Sequence, residues 1–89
     1  MNARALVARN IRRLRVMRLL SQEALAVDAG IDRTYVSRLE RGLENPTVAV
    51  LEQISAALTA DITELFARPR PNEKPPATLP SGRKRQRPS

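Results

Sequence analysis

One short predicted helix, residues 32–41, carries a face that could read a nucleic acid. At roughly 100° of rotation per residue, the side chains opposite the apolar Val36 and Leu39 end in guanidinium or hydroxyl groups. They are Thr34, Ser37, Arg38 and Arg41, with Arg33 at the helix tip. An arginine can donate two hydrogen bonds to O6 and N7 of guanine, so this face suits the major groove of DNA. From charge alone, a solvated surface with three arginines is the simpler interpretation.

The spacing around this helix favours the first interpretation, because residues 21–42 predict two short helices joined by a tight turn. Ser21 can cap the first helix and Asp32 the second, while Gly30 can take the left-handed conformation that ends the first one. Ala26 is small enough for the point where two steeply crossing helices meet. The predicted apolar faces are Leu25, Ala26 and Ala29 on the first helix, and Val36 and Leu39 on the second.

This pattern resembles the helix-turn-helix family of phage repressors, Cro proteins and the xenobiotic-response-element type of bacterial regulator. The stretch AGIDRTYVSRLERGLENPT is similar to the controller proteins of restriction–modification systems, and the likeness covers residues 7–66. The resemblance implies an all-α, five-helix, lambda-repressor-like DNA-binding domain at residues 1–67. It also implies a transcriptional regulator that binds specific double-stranded DNA as a homodimer, with helix 32–41 in the major groove.

Helical position and the resemblance together select the candidate DNA contacts. For base edges they are Arg33, Thr34, Ser37 and Arg38, with Arg38 central on the outer face. For phosphates they are Gln22, Tyr35, Arg41, Asn45 and Arg15. Two of these have a competing interpretation: Gln22 can simply face solvent in a first turn, and Tyr35 can pack its ring while its hydroxyl stays wet.

The first predicted helix, residues 2–18, contains six arginines and no acidic residue. The positive charge of this helix has no compensating acid within the helix, so its arginines are expected to contact an anion. The candidates are a phosphate backbone and Glu40. The resemblance implies that Arg15 pairs with Glu40 and braces this helix against the reading helix. The residues expected to face the core are Val7, Ile11 and Leu14.

The remaining helix boundaries follow from single residues. The family usually has glycine where this chain has Leu19, so the register of the first connection is open by about one residue. Pro46 ends the segment before it, Thr47 can cap a fourth helix, and Asp61 with Glu64 forms a capping pair for a fifth. The expected apolar stripes are Val48, Leu51, Ile54 and Leu58, then Ile62, Leu65 and Phe66, of which the last three could form either core or dimer interface.

Composition excludes several classes of protein. The chain has no cysteine and no histidine, which removes thiolate metal sites, disulfides and the commonest general base. We therefore expect no enzyme, no metal and no cofactor, and no small-molecule effector is evident. No apolar run approaches the roughly 20 residues that span a bilayer, and arginines interrupt the region where a signal peptide would lie. A cytoplasmic protein is expected.

The net charge of +7 is concentrated in the last quarter of the chain. Residues 1–67 carry a net charge of +1, whereas residues 68–89 carry +6 and six of the seven prolines. A segment with so few apolar residues cannot bury enough surface to fold, so 68–89 is predicted to be a disordered basic tail. Its RKRQR cluster at 83–87 is either solvated or drawn to phosphates without sequence preference.

A protein-binding module is the alternative function, for example an antitoxin that uses this fold to mask a toxin. A long disordered tail fits that alternative, because such tails fold on partners. Only Ala77 and Leu79 could anchor this tail in an apolar groove, which favours phosphate instead. Single-stranded RNA is disfavoured because its readers need aromatic platforms, and the chain has two aromatic residues in all.

Overall fold

The computed structural model describes residues 1–70, and within them the chain is helical, without a strand. The helices are α1 Ala3–Met17, α2 Gln22–Ala29, α3 Arg33–Glu40, α4 Val48–Ala57 and a 3₁₀ helix, Ile62–Phe66. The predicted all-α fold with five helical segments is confirmed, and the fifth segment is of the tighter 3₁₀ type. The predicted disorder of residues 71–89, and the cluster at 83–87, lie outside the described residues. The division into 1–67 and 68–89 stays a prediction.

Every helix begins at a side chain that accepts a hydrogen bond from a backbone N–H of the first turn. These bonds measure 2.8–3.1 Å, and the capping residues are Asn2, Ser21, Asp32, Thr47 and Asp61. Asp61 and Glu64 form the predicted capping box. Hydrogen bonds from Thr63 hold the pKa of Asp61 below its ordinary value. Because an N-cap fixes where a helix starts, Asp32 sets the first turn of α3.

The predicted apolar faces meet in one core, with two exceptions. Its buried members are Val7, Ile11, Leu14, Leu25, Ala26, Ala29, Val36, Leu39, Leu51, Ile54, Leu58 and Leu65. Val48 is 70% exposed, so the prediction that it faces the core with the rest of its stripe is wrong. Phe66 is 44% exposed, which excludes it from the core, one of the two roles considered for it. Val48 lies in the first turn of α4, one turn before Leu51, the first α4 residue in the core. Three residues per turn place Ile62 and Leu65 on one side of the 3₁₀ helix and rotate Phe66 away from it.

Asn10 of α1 holds the end of the described chain in place. It is fully buried, and its Nδ2 donates to the carbonyl oxygens of Leu65 at 2.9 Å and Ala67 at 2.8 Å. Its Oδ1 accepts a hydrogen bond from Nε of Arg13. A buried amide is stable only when its donors and acceptor are satisfied, and here they are. Asn10 was not among the residues predicted to be important.

The connection from α1 to α2 turns at Leu19, whose φ of 59° is left-handed. The N–H of Leu20 donates to the Arg15 carbonyl at 3.0 Å, as in a turn that glycine usually makes. A residue with a Cβ pays roughly 1–2 kcal/mol for this conformation. Leucine thus ends α1 in a turn of the kind that glycine usually makes, and α2 still begins at Gln22.

Glu40, at the end of α3, connects three helices through its buried carboxylate. Arg15 Nε donates to Oε2 at 2.6 Å and Arg15 Nη2 to Oε1 at 2.9 Å. Gln22 Nε2 and Arg12 Nε lie 3.1 Å and 3.4 Å from the same Oε1. The remaining Arg15 contact, from Nη1 to the Leu20 carbonyl at 2.8 Å, ties the pair to the turn after α1. The implied Arg15–Glu40 pair is thus present, and it sets the angle of α3 against α1.

Breaking this pair from one side is expected to destabilise the domain. Arg15→Met or Glu40→Gln should each lower the free energy of unfolding by about 3–5 kcal/mol, because the abandoned partner stays buried and uncompensated. Arg12→Met is the control: its side chain is 31% exposed, and such a pair contributes only about 0–1 kcal/mol. Urea unfolding of the single and double variants measures the coupling. A coupling energy indistinguishable from zero would contradict a structural role for the pair.

Relieving the strain at Leu19 is expected to stabilise the domain. Leu19 is 79% exposed, so Leu19→Gly removes little packing, and the gain should be about 0.5–1 kcal/mol after the entropy cost of glycine is subtracted. Leu19→Ala keeps the Cβ and the left-handed strain, so it should match the parent. Midpoints of urea unfolding compare the three proteins. Equal midpoints for the glycine and alanine variants would show that the turn is unstrained.

Candidate nucleic-acid interface

Helix α3 divides cleanly into an inner and an outer face. Val36 and Leu39 are 0% and 2% exposed and pack into the core. The four predicted base-edge residues lie on the other side: Arg33 and Thr34 are exposed, and Ser37 and Arg38 are partly exposed. The structure therefore brings these four side chains together on one accessible surface of a single helix, which is the arrangement that a major groove admits.

Arg38 is held by Glu44, which was not among the predicted site residues. Its Nε donates to Oε2 of Glu44 at 2.6 Å, and its Nη2 lies 3.4 Å from the Leu43 carbonyl oxygen. Gly42 makes this contact possible, because its left-handed φ of 72° turns the loop back along α3. An acid two residues after a turn glycine is the sequence signal that could have indicated the pair.

Arg15 and Gln22, both predicted to contact phosphate, are instead directed to Glu40. Arg15 is 5% exposed and cannot reach a phosphate without leaving the carboxylate, so its role is corrected to a structural one. Gln22 begins α2 and is partly exposed. Its amide nitrogen donates one hydrogen bond to Glu40 and has a second N–H to offer. Gln22 can therefore join a phosphate contact while it stays attached to α3.

The other three predicted phosphate contacts lie around the end of α3. Arg41, the C-cap residue, and Asn45, in the following loop, are exposed and make no side-chain hydrogen bond within residues 1–70. Tyr35 is partly buried against the core. Burial raises the pKa of the Tyr35 hydroxyl, and the negative charge of Glu44 raises it further. The hydroxyl thus stays neutral near pH 7 and can donate to an anion.

Other kinds of site are not found in the described part of the chain. Residues 1–70 contain no group of three or more acidic, histidine or cysteine residues placed to hold a metal ion. Nor does this range include a helix that is long and apolar enough to cross a membrane.

Comparison with known proteins gives matches over the helical region. Residues 11–65 match the sequence profile of a family described as helix-turn-helix. The HTH-type transcriptional regulator SlrR of Bacillus subtilis is 40% identical over 62 residues, which cover 68% of this chain and 41% of that protein. The chain thus spans about two fifths of the length of this relative.

Solved structures of restriction–modification controller proteins have the same fold. C.AhdI from Aeromonas hydrophila superposes with a TM-score of 0.68 and 37% identity, over 70% of this chain and 94% of that one. The C.Esp1396I tetramer, solved in complex with its natural 35-base-pair operator, superposes with a TM-score of 0.69 and 32% identity, over 74% of this chain and 87% of that one. With a family profile matched across more than half of its length, the chain belongs to the helix-turn-helix family.

Proposed function

We propose that the protein is a transcriptional regulator that binds specific double-stranded DNA sequences by placing α3 in the major groove. The observation that carries this proposal is the outer face of α3, where Arg33, Thr34, Ser37 and Arg38 form one accessible surface. Relatives named as transcriptional regulators, and a neighbour solved on its operator, support it. We further propose that it acts as a regulator and not as an enzyme, in the cytoplasm where its DNA would lie.

A homodimer is part of this proposal. An eight-residue helix touches only a few base pairs, whereas a two-fold pair reads two half-sites about 34 Å apart. Of the three residues considered for the interface, Leu65 is fully buried and Ile62 is partly buried against the core. Phe66 is 44% exposed, so it is the one of the three that remains available to a partner.

Selection from random duplexes by the purified protein tests the function directly. We expect enrichment of an inverted repeat with half-site centres about 10–10.5 base pairs apart, because the two reading helices of a dimer enter successive major grooves. Analytical ultracentrifugation of the complex on the enriched duplex measures the number of subunits. Failure to enrich any sequence from the random pool would reject the proposal.

Arg38→Ala is expected to weaken binding to the selected operator by about 1–3 kcal/mol and to relax the choice of one guanine per half-site. The reason is the loss of two hydrogen bonds to a base edge. Arg41→Ala is the matched control: as a phosphate contact, it should weaken operator and random DNA by similar factors and lower the salt slope by about 1. If Arg38→Ala weakens binding to the operator and to random DNA equally, Arg38 is a phosphate contact and not a base contact.

The basic tail is proposed to add affinity without sequence preference. Residues 68–89 hold +6 of the net charge, and log K falls against log salt by about 0.9 per phosphate engaged. Deleting residues 69–89 should lower that slope by roughly 2–4 units and leave the ratio of operator to random affinity nearly unchanged. Replacing only Arg83, Lys84, Arg85 and Arg87 by glutamine in the full chain should account for most of the effect. An unchanged slope would exclude the tail from the DNA complex.

A further inference from the structure

Glu44 is an acidic residue in the loop after α3, a position where electrostatic attraction to DNA would favour a basic side chain. The left-handed Gly42 and the hydrogen bond from the Leu43 N–H to the Arg38 carbonyl, 2.9 Å long, fold the loop back along α3. This turn brings Oε2 of Glu44 to 2.6 Å from Nε of Arg38, six residues earlier in the chain. A carboxylate at this position disfavours phosphate contacts, so its effect on DNA binding depends on its contact with Arg38.

The contacts of Arg38 occupy one edge of its guanidinium group. Nε donates to Glu44 and Nη2 lies near the Leu43 carbonyl, and both point to the same side of the planar group. The guanidinium has five N–H donors in a fixed fork, so the end edge, formed by Nη1 and Nη2, is left for another acceptor. Within residues 1–70 no acceptor contacts Nη1. Two adjacent N–H groups match O6 and N7 of guanine.

The charge of Glu44 affects phosphates and bases differently. A phosphate is bound through its charge, and a carboxylate beside Arg38 cancels much of that attraction. Guanine presents neutral acceptor atoms, so its recognition depends more on the orientation of the donors than on net charge. The carboxylate of Glu44 is therefore expected to lower affinity more for a duplex that meets Arg38 only through phosphates than for a duplex with guanine in the correct place.

We propose that Glu44 is a positioning residue for base recognition: its carboxylate orients Arg38 toward guanine and discourages the same side chain from binding a phosphate. This inference rests on the proposed function and names the residue that makes Arg38 selective. Arg38 and Glu44 have side chains 43% and 28% exposed, so their pair contributes little to stability. Glu44 can thus be changed without loss of the fold.

The test compares the full-length parent with Glu44→Gln, Arg38→Ala and the double variant. Each is titrated against the selected operator, a random duplex, and the operator with 7-deazaguanine at the guanine whose choice Arg38→Ala relaxes. Glu52→Gln is the matched control for net charge: Glu52 is exposed on α4, and within residues 1–70 its carboxylate contacts no other side chain. Thermal unfolding of every variant verifies that the domain is folded.

Glu44→Gln is expected to bind the random duplex about three- to tenfold more tightly, because the side chain at position 44 no longer offsets the charge of Arg38 or holds it, and Arg38 can then bind a phosphate. Operator affinity should change less, so the ratio of operator to random affinity falls. The loss caused by 7-deazaguanine, about fivefold or more in the parent, should shrink in Glu44→Gln. Neither change should occur in Glu52→Gln or when Arg38 is already alanine.

Three results would overturn the inference. The first is an unchanged affinity ratio in Glu44→Gln, and the second is an unchanged loss on 7-deazaguanine. The third is an effect of Glu44→Gln that persists without Arg38, because Glu44 would then act on DNA directly. All three leave the proposed function intact, whereas a failure to select any operator rejects the function itself. If Arg38→Ala relaxes no base, Arg38 does not read guanine and the inference falls for that separate reason.

Discussion

The orientation of the reading helix depends on one buried carboxylate. Glu40 is the last residue of α3, and its two oxygens receive hydrogen bonds from Arg15 on α1 and Gln22 on α2. A charge at 0% side-chain exposure is tolerated only with full compensation, so any rotation of α3 that separates it from Arg15 is strongly unfavourable. The outer face of α3 therefore has a single direction relative to the rest of the domain, and a rigid direction is what recognition of base edges requires.

An arginine–glutamate ion pair occurs twice around α3, once buried and once partly exposed to solvent. Arg15 and Glu40 are buried, and their attraction acts on the packing of helices. Arg38 and Glu44 are partly exposed, where an ion pair adds little stability but can orient a side chain for a ligand. Both glutamates lie at or just after the end of α3, but the partner of Glu40 comes from α1 and the partner of Glu44 from α3 itself. Burial, and not residue type, separates the structural pair from the pair that we propose acts on DNA.

Local signals in the sequence were sufficient for most of the fold. The caps Ser21, Asp32, Thr47 and Asp61 and the turn at Gly30 depend on a few neighbouring residues, so their positions could be predicted. Contacts between distant residues could not: the bond from Asn10 to the Leu65 carbonyl spans 55 residues and leaves no periodic pattern. Glu44 was missed because its partner lies across a turn, and Arg15 was assigned to phosphate as well as to Glu40 because helical position alone does not reveal burial.

The separation of α3 into two faces bears on how such a protein could acquire a new operator. The inner face and the Glu40 contacts carry the stability, while Arg33, Thr34 and Ser37 are exposed or partly exposed. Substitutions at such positions usually change stability by less than about 0.5 kcal/mol, so the readout can diverge while the scaffold persists. Position 38 is less independent, because a neutral residue there leaves the Glu44 carboxylate without its cation. Divergence in specificity at position 38 is therefore expected to pass through paired changes at positions 38 and 44.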